Sequence, residues 1–182
     1  VNDYGVKPGD RVAISMRNYP EWILAFMAAT SIGGIAVAMN ALWQPEEMAY
    51  GLTDSGAKVL FADEERLARF AQIASPPKVQ LISVRTSAYP NAVDLANLVA
   101  KLENSGQTIA MPEQYAKPED DATLLYTSGS TGHPKGVASC HVNIISALMS
   151  WELDQTTAIG LMEEPPEAPA HPPATLMAVP LF

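Results

Sequence analysis

Apolar positions in the first hundred residues switch repeatedly between a period of two and a helical period. Residues 11–16 (Arg-Val-Ala-Ile-Ser-Met) place Val12, Ile14 and Met16 on one face, which predicts a strand. Asn18, Tyr19 and Pro20 then open a helix over 21–32, with Pro20 near its first turn, where an amide hydrogen has no helical partner to lose. Gly33 and Gly34 stop that helix, and a buried strand follows at 35–39. Pro45-Glu46-Glu47 begins a second helix, running to about Ser55 and acidic where the helix dipole favours it. Gly56 closes it. Residues 58–62 read as the next strand, and Asp63 caps a third helix to about Ala74. Beyond Pro76 and Pro77, residues 79–84 form a short strand and residues 93–102 a helix.

This alternation with short connections predicts an α/β fold, a largely parallel sheet flanked by helices. A polar link at 104–120, holding Pro112 and Pro118, leads to a second half organised around one loop. Residues 123–127 (Thr-Leu-Leu-Tyr-Thr) are a strand entering a turn rich in Ser, Gly and Thr, and 136–139 leave it as another strand. His141 and Asn143 precede a helix at about 144–153. Residues 163–173 hold five prolines, three acids and no lysine or arginine, which excludes helix and predicts an acidic, Pro-rich surface insertion. Residues 174–180 read as a returning buried strand. There is no internal repeat.

Composition narrows the function. Of 182 residues 48% are hydrophobic, enough for a sizeable core, and the net charge of −9 leaves no basic footprint for nucleic acid or anionic lipid. Residues 22–45 carry no charge, but Thr30, Ser31, the Gly33-Gly34 pair, Asn40 and Gln44 interrupt them, so a helix and a strand explain them better than a membrane span. The single cysteine, Cys140, excludes an internal disulfide and suits a reducing, cytoplasmic setting. The Val-Asn-Asp-Tyr-Gly start is no signal peptide, and the apolar Ala-Val-Pro-Leu-Phe end has no closing turn. The expectation is a piece of a larger domain.

The chemistry concentrates in Tyr126-Thr127-Ser128-Gly129-Ser130-Thr131-Gly132-His133-Pro134-Lys135-Gly136. Gly129 and Gly132 permit backbone angles that turn successive N–H groups into one concavity, an anion nest. The hydroxyls of Thr127, Ser128, Ser130 and Thr131 add donors, and Lys135 adds a point charge. Together they compose a polyphosphate cradle. It is not a Walker A loop: counted from Gly129, that motif's second glycine falls on Pro134 and its Ser/Thr on Gly136. A Gly-x-Gly-x-x-Gly dinucleotide fingerprint is also missing. The plain alternative, a solvated flexible turn, fits the buried flanks and the Pro-Lys-Gly exit less well.

The run Thr-Ser-Gly-Ser-Thr-Gly-His-Pro-Lys-Gly resembles, without a departure, the phosphate-loop signature of the acyl-adenylate-forming (AMP-binding) superfamily. Supporting matches lie at Pro8-Gly9-Asp10-Arg11-Val12, Asn18-Tyr19-Pro20-Glu21-Trp22, 33–40 and 45–58, and Val179-Pro180-Leu181-Phe182 is similar to the family's Pro-Leu-Phe. The likeness is greatest to acyl-CoA synthetases (fatty-acid–CoA ligases), of which the chain would be part of the large N-terminal domain. It implies a two-step ligase: a carboxylic acid, here a fatty acid, reacts with ATP to give acyl-AMP and pyrophosphate, and coenzyme A then takes the acyl group. It also implies that Thr127, Ser128, Gly129, Ser130, Thr131, Gly132 and Lys135 hold the β- and γ-phosphates, with Mg²⁺ brought near Thr127 to Thr131 through ATP. No catalytic group is identifiable within the chain, because the family's adenine, magnesium and hinge motifs and its C-terminal lysine would lie beyond Phe182. The isolated chain is therefore expected to be inactive. Two alternatives stay open: an amino-acid or aryl-acid adenylation domain serving a carrier protein, and a non-catalytic nucleotide-binding module.

The remaining candidates read more plainly. His133 sits in the loop at a position where the family accepts many residues. His141 seats the following helix, and His171 is solvated among prolines. Cys140 and His141 do not make a metal pair, since neighbours on a strand face opposite ways. Asp120 and Asp121 read as solvated. The eight methionines read as core filling, and Trp22, Trp43 and Trp151 as packing.

Overall fold

The computed structural model describes residues 4–106, 110, 113, 116–127, 133–162, 170–172, 174 and 179–181. Among them the elements run β1 (Arg11–Ser15), α1 (Pro20–Ser31), β2 (Ile35–Ala38), α2 (Pro45–Ser55), β3 (Val59–Asp63), α3 (Glu64–Phe70), β4 (Gln80–Val84), β5 (Val93–Asp94), α4 (Leu95–Asn104), β6 (Asp121–Thr127), β7 (Lys135–Cys140) and α5 (His141–Gly160). One seven-stranded sheet has the order β5-β4-β3-β1-β2-β6-β7. Every pairing is parallel except β6 with β7. The α/β expectation, a largely parallel sheet flanked by helices, holds.

The period-two pattern builds two cores on the two faces of the sheet. Val12, Ile14 and Met16 point to one face with Ala36, Ala38, Val59, Ile82 and Val84, under Trp22, Ala25 and Ala29 of α1. Ala13, Val37, Leu60 and Ala62 point to the other, under Met48 and Leu52 of α2 and Leu67 of α3. Strands covered on both faces must be nearly continuous in apolar residues, and these are.

The local signals sit where the sequence places them. Pro20 and Pro45 occupy first-turn positions, and Gln44 with Glu47 closes a capping box in which Glu47 Oε2 accepts from Gln44 N at 2.9 Å. Gly56 ends α2 in the left-handed region at φ 60°, where a side chain would be strained and would press on the Arg11 guanidinium. Asp63 caps α3 by accepting from Arg66 N at 3.2 Å.

Several boundaries differ from expectation. The third helix ends at Phe70, short of Ala74, because Gln72 N and Ile73 N bond three residues back, to Arg69 O and Phe70 O, and tighten the chain into turns. Val93 pairs with Ile82 in β5, and Asp94 caps α4 by accepting from Ala96 N and Asn97 N. The fifth helix is longer at both ends than 144–153: it starts at His141, because Cys140 caps it and Asn143 in its first turn accepts from Cys140 N at 3.3 Å, and it runs on to Gly160. His141 thus opens a helix and does not continue a strand.

The buried strand read at 174–180 is corrected where it is described. Ala174, Val179 and Pro180 are not strand, and Val179 is 71% exposed. Asn18 takes the backbone there instead, donating to Val179 O at 2.6 Å and accepting from Leu181 N at 3.0 Å. Residues 175–178 lie outside the described residues, as do 163–169 and 173 of the Pro-rich segment. Core filling holds for Met16, Met39 and Met48 and packing for Trp22 and Trp43, but Met27, Met149, Met162 and Trp151 are exposed. Trp151 and Met149 ride on α5, which packs against β7 at the rim of the sheet.

Candidate active site at the end of strand β6

In a parallel sheet the side chains that meet ligands gather at the carboxyl ends of the strands. Strand β6 runs parallel to β2, so Thr127 emerges at the same edge as Met39 and Asn40, just past the end of β2. Residues 128–134 are too few for a crossover, so β7 must return antiparallel. It does, with Thr127 opposite Lys135 and Tyr126 opposite Gly136.

Thr127 and Lys135 are both exposed, and the Thr127 hydroxyl donates to Lys135 O across 3.4 Å. The two ends of the Ser/Gly/Thr run are thus held side by side at the sheet's carboxyl edge. Ser128, Gly129, Ser130, Thr131 and Gly132 lie outside the described residues.

Beside this pair lies a hollow of about 370 Å³ lined by Asn40, Leu42, Trp43, Glu47, Tyr126, Thr127 and Pro134. Its walls come from the loop after β2, from α2 and from the β6–β7 hairpin. Tyr126 half-buries its ring edge-on against Trp43, 5.4 Å between centroids and 67° between planes. Its hydroxyl donates to Asp54 Oδ2 at 2.7 Å and approaches Gly51 O at 3.3 Å. Burial first, and the acceptor Asp54 second, hold the Tyr126 phenol well above its ordinary titration range. A larger hollow of about 1000 Å³ lies under α4, lined by residues such as Tyr4, Phe61, Tyr89, Leu98 and Lys101. It sits at the β4–β5 edge of the sheet, four strands from Thr127, so its size does not connect it to the loop.

Helix α2 is the part of this site that sequence reasoning missed. Tyr50 lays its ring over His133 at 5.0 Å and 19°, and Asp54 takes the Tyr126 hydroxyl. Gly51 is the only residue type that lets the Trp43 ring cross the helix there, since a Cβ would overlap it. The glycine inside an otherwise regular helix is the one sequence signal that could have pointed here. Arg69 adds a clamp from α3, donating to Ala41 O and Trp43 O at 2.9 Å each.

The exposed Thr127 hydroxyl beside a walled hollow, with exposed Lys135 paired opposite it on β7, suits an anionic oxygen-rich ligand. Among the described residues no cluster of three metal-ligating side chains forms, and no helix is long and apolar enough to cross a membrane.

Comparison with known proteins identifies the family and the fold. The model of the AMP-binding enzyme family matches residues 2–182. The chain is 34% identical over 148 residues to a 3-hydroxybenzoate--CoA/4-hydroxybenzoate--CoA ligase of Thauera aromatica, covering 79% of this chain and 27% of that protein. It is 30% identical over 152 residues to a long-chain-fatty-acid--CoA ligase of Mycobacterium tuberculosis, covering 81% and 28%. Among solved structures, an anthranilate CoA ligase in complex with anthranoyl-AMP matches with a TM-score of 0.74 at 26% identity, covering 82% of this chain and 28% of that one. The chain therefore spans between a quarter and a third of the length of these relatives. With a family match over residues 2–182 and the fold of its solved members, the chain belongs to the AMP-binding enzyme family, whose relatives here are CoA ligases.

Proposed function

We propose that this chain supplies the ATP-phosphate subsite of an acid–thiol ligase that activates a carboxylic acid as its adenylate and passes it to coenzyme A. The observation that supports it most is the pairing of Thr127 with Lys135 at the carboxyl edge of the sheet, flanking the signature run. In the proposed reaction a carboxylate oxygen attacks the α-phosphorus of ATP, the bond to the β-phosphate breaks, and pyrophosphate leaves. The thiol sulfur then attacks the acyl carbon and AMP departs. The substrate brings its own nucleophile, so the protein's work is to position it and to offset charge on the polyphosphate.

Lys135 and the hydroxyls of Thr127, Ser128, Ser130 and Thr131, with the backbone at Gly129 and Gly132, would hold the β- and γ-phosphates. The oxygen donors at Thr127 suit Mg²⁺ carried in with ATP, which would supply charge neutralisation on the phosphates. The acid proposed from the sequence is a fatty acid, in line with the 30% identity to a long-chain-fatty-acid ligase. An aryl acid is the second reading, favoured by the 34% identity to the hydroxybenzoate ligase.

The test is binding of Mg·ATP to this chain and to Lys135→Ala. A charge-assisted hydrogen bond is worth about 1.5–3 kcal/mol, so the substitution should weaken binding roughly 10- to 150-fold with the circular dichroism unchanged. Equal affinity in both proteins would defeat the role given to Lys135. Pyrophosphate exchange with fatty and aryl acids, run on a protein of the relatives' length, assigns the acid. The present chain alone should exchange none, and turnover above background would show that it carries its own catalytic groups.

A further inference from the structure

We propose that Tyr50 is a positioning residue for Lys135, acting through the imidazole of His133; the inference rests on the phosphate role given to Lys135 above. Tyr50 stands on α2 between Met48 and Leu52, both of which are buried in the core. Its own ring is only half-buried, and instead of completing that core it stacks on the exposed His133 ring, 5.0 Å away and 19° from parallel. Only Pro134 separates His133 from Lys135, and its fixed φ makes that connection a stiff arm. Holding the imidazole therefore holds the start of β7.

The same helix grips the other side of the hairpin. One residue along from Tyr50, Gly51 O lies 3.3 Å from the Tyr126 hydroxyl, and one turn along, Asp54 accepts from it at 2.7 Å. Tyr126 precedes Thr127 and His133 precedes Lys135 by two, so α2 fixes both partners of the Thr127–Lys135 pair from one side. Binding phosphate orders both the lysine side chain and the backbone beneath it, and a backbone already fixed leaves only the side-chain part to be lost. His133 thus works as the stacking partner through which α2 reaches the lysine. No proton transfer is asked of it.

Three variants of this chain test the idea: Tyr50→Leu, Tyr50→Phe and His133→Ala, the last on an exposed residue that supports no core. The Tyr50 ring current should shift the His133 imidazole proton resonances upfield. In Tyr50→Leu they should move back while those of His141 and His171 stay, and amide exchange at Lys135 and Gly136 should speed up at least about threefold. Mg·ATP affinity should fall about threefold to tenfold, as expected for one aromatic pair. Tyr50→Phe keeps the ring and should restore all three readouts, and His133→Ala should reproduce the exchange and affinity changes. Unmoved His133 resonances, or wild-type exchange at Lys135 in both disrupting variants, overturn the proposal. Should wild type and Lys135→Ala bind Mg·ATP equally poorly, the proposed function fails, and the resonance and exchange readouts still decide the stack.

Discussion

Asp63 and Arg66 form an ion pair at 3.1 Å in which the two side chains are only 7% and 1% exposed. The same carboxylate caps α3 and accepts from Arg17 N at 3.1 Å, so it ties the carboxyl ends of β1 and β3 together. Removing Asp63 leaves the buried Arg66 guanidinium only the half-exposed Glu65 carboxylate, which accepts from the same nitrogen at 2.7 Å, and also removes the helix cap and the Arg17 contact, together a cost of about 3 kcal/mol. Asp63→Ala should lose stability on that scale in urea denaturation. Asp63→Ala with Arg66→Met should recover the part due to the buried guanidinium, and not the part due to the cap and the Arg17 contact. A single variant within about 1 kcal/mol of wild type would mean that Glu65 alone compensates the guanidinium.

Gly51 and Trp43 touch so closely that a methyl group cannot enter. Gly51→Ala would gain helix propensity, worth about 1 kcal/mol, but must push aside the Trp43 ring and with it the wall of the 370 Å³ hollow. Overpacking costs about 1–3 kcal/mol, so the net change should be destabilising, with a red shift in Trp43 fluorescence as the ring meets water. A variant more stable than wild type would show that the ring moves freely.

Tyr126 should make stability depend on alkaline pH. Its phenol is held above the ordinary value of 10, so its contribution is complete below pH 10 and is lost as pH rises through the folded-state value. Tyr126→Phe should cost about 1 kcal/mol at neutral pH, and wild type should lose that advantage above pH 10. Spectroscopic titration should show one of the six tyrosines resisting ionisation. A gap between the two proteins that stays constant through pH 11 would refute the raised phenol.

Arg85, at φ 59°, donates to Glu21 Oε1 at 2.9 Å and lies 4.3 Å over the Tyr19 ring. The hydrogen bond from Arg85 holds the Glu21 carboxyl below its ordinary value of 4.5. That stabilisation is present above pH 4.5 and disappears as pH falls through the folded-state value. The guanidinium is half exposed, so Glu21→Gln should cost only about 0.5 kcal/mol at pH 7. Acid titration of stability should bring the two proteins together below pH 4.5, and parallel curves would count against the pair.

Much of this protein is local, and the local part was legible in the residues. Val12, Ile14 and Met16 share a face because a strand has period two whatever surrounds it. Pro20, Pro45, Gly56 and Asp63 start, stop or cap helices through their own backbone and side-chain geometry, and each does so here. The signature from Thr127 to Gly136 likewise announces its family in contiguous residues. What the sequence could not show depends on distance along the chain. The stacking of Tyr50 on His133 and the Tyr126–Asp54 hydrogen bond join residues far apart and exist only once the strand order places β6 beside β2 under α2, and the hold of Asn18 on Val179 likewise joins distant parts of the chain. The exposure of Trp151 and Met149 has the same origin. An apolar residue reports that it can be buried; only the packing of α5 at the rim of the sheet decides that these two are not.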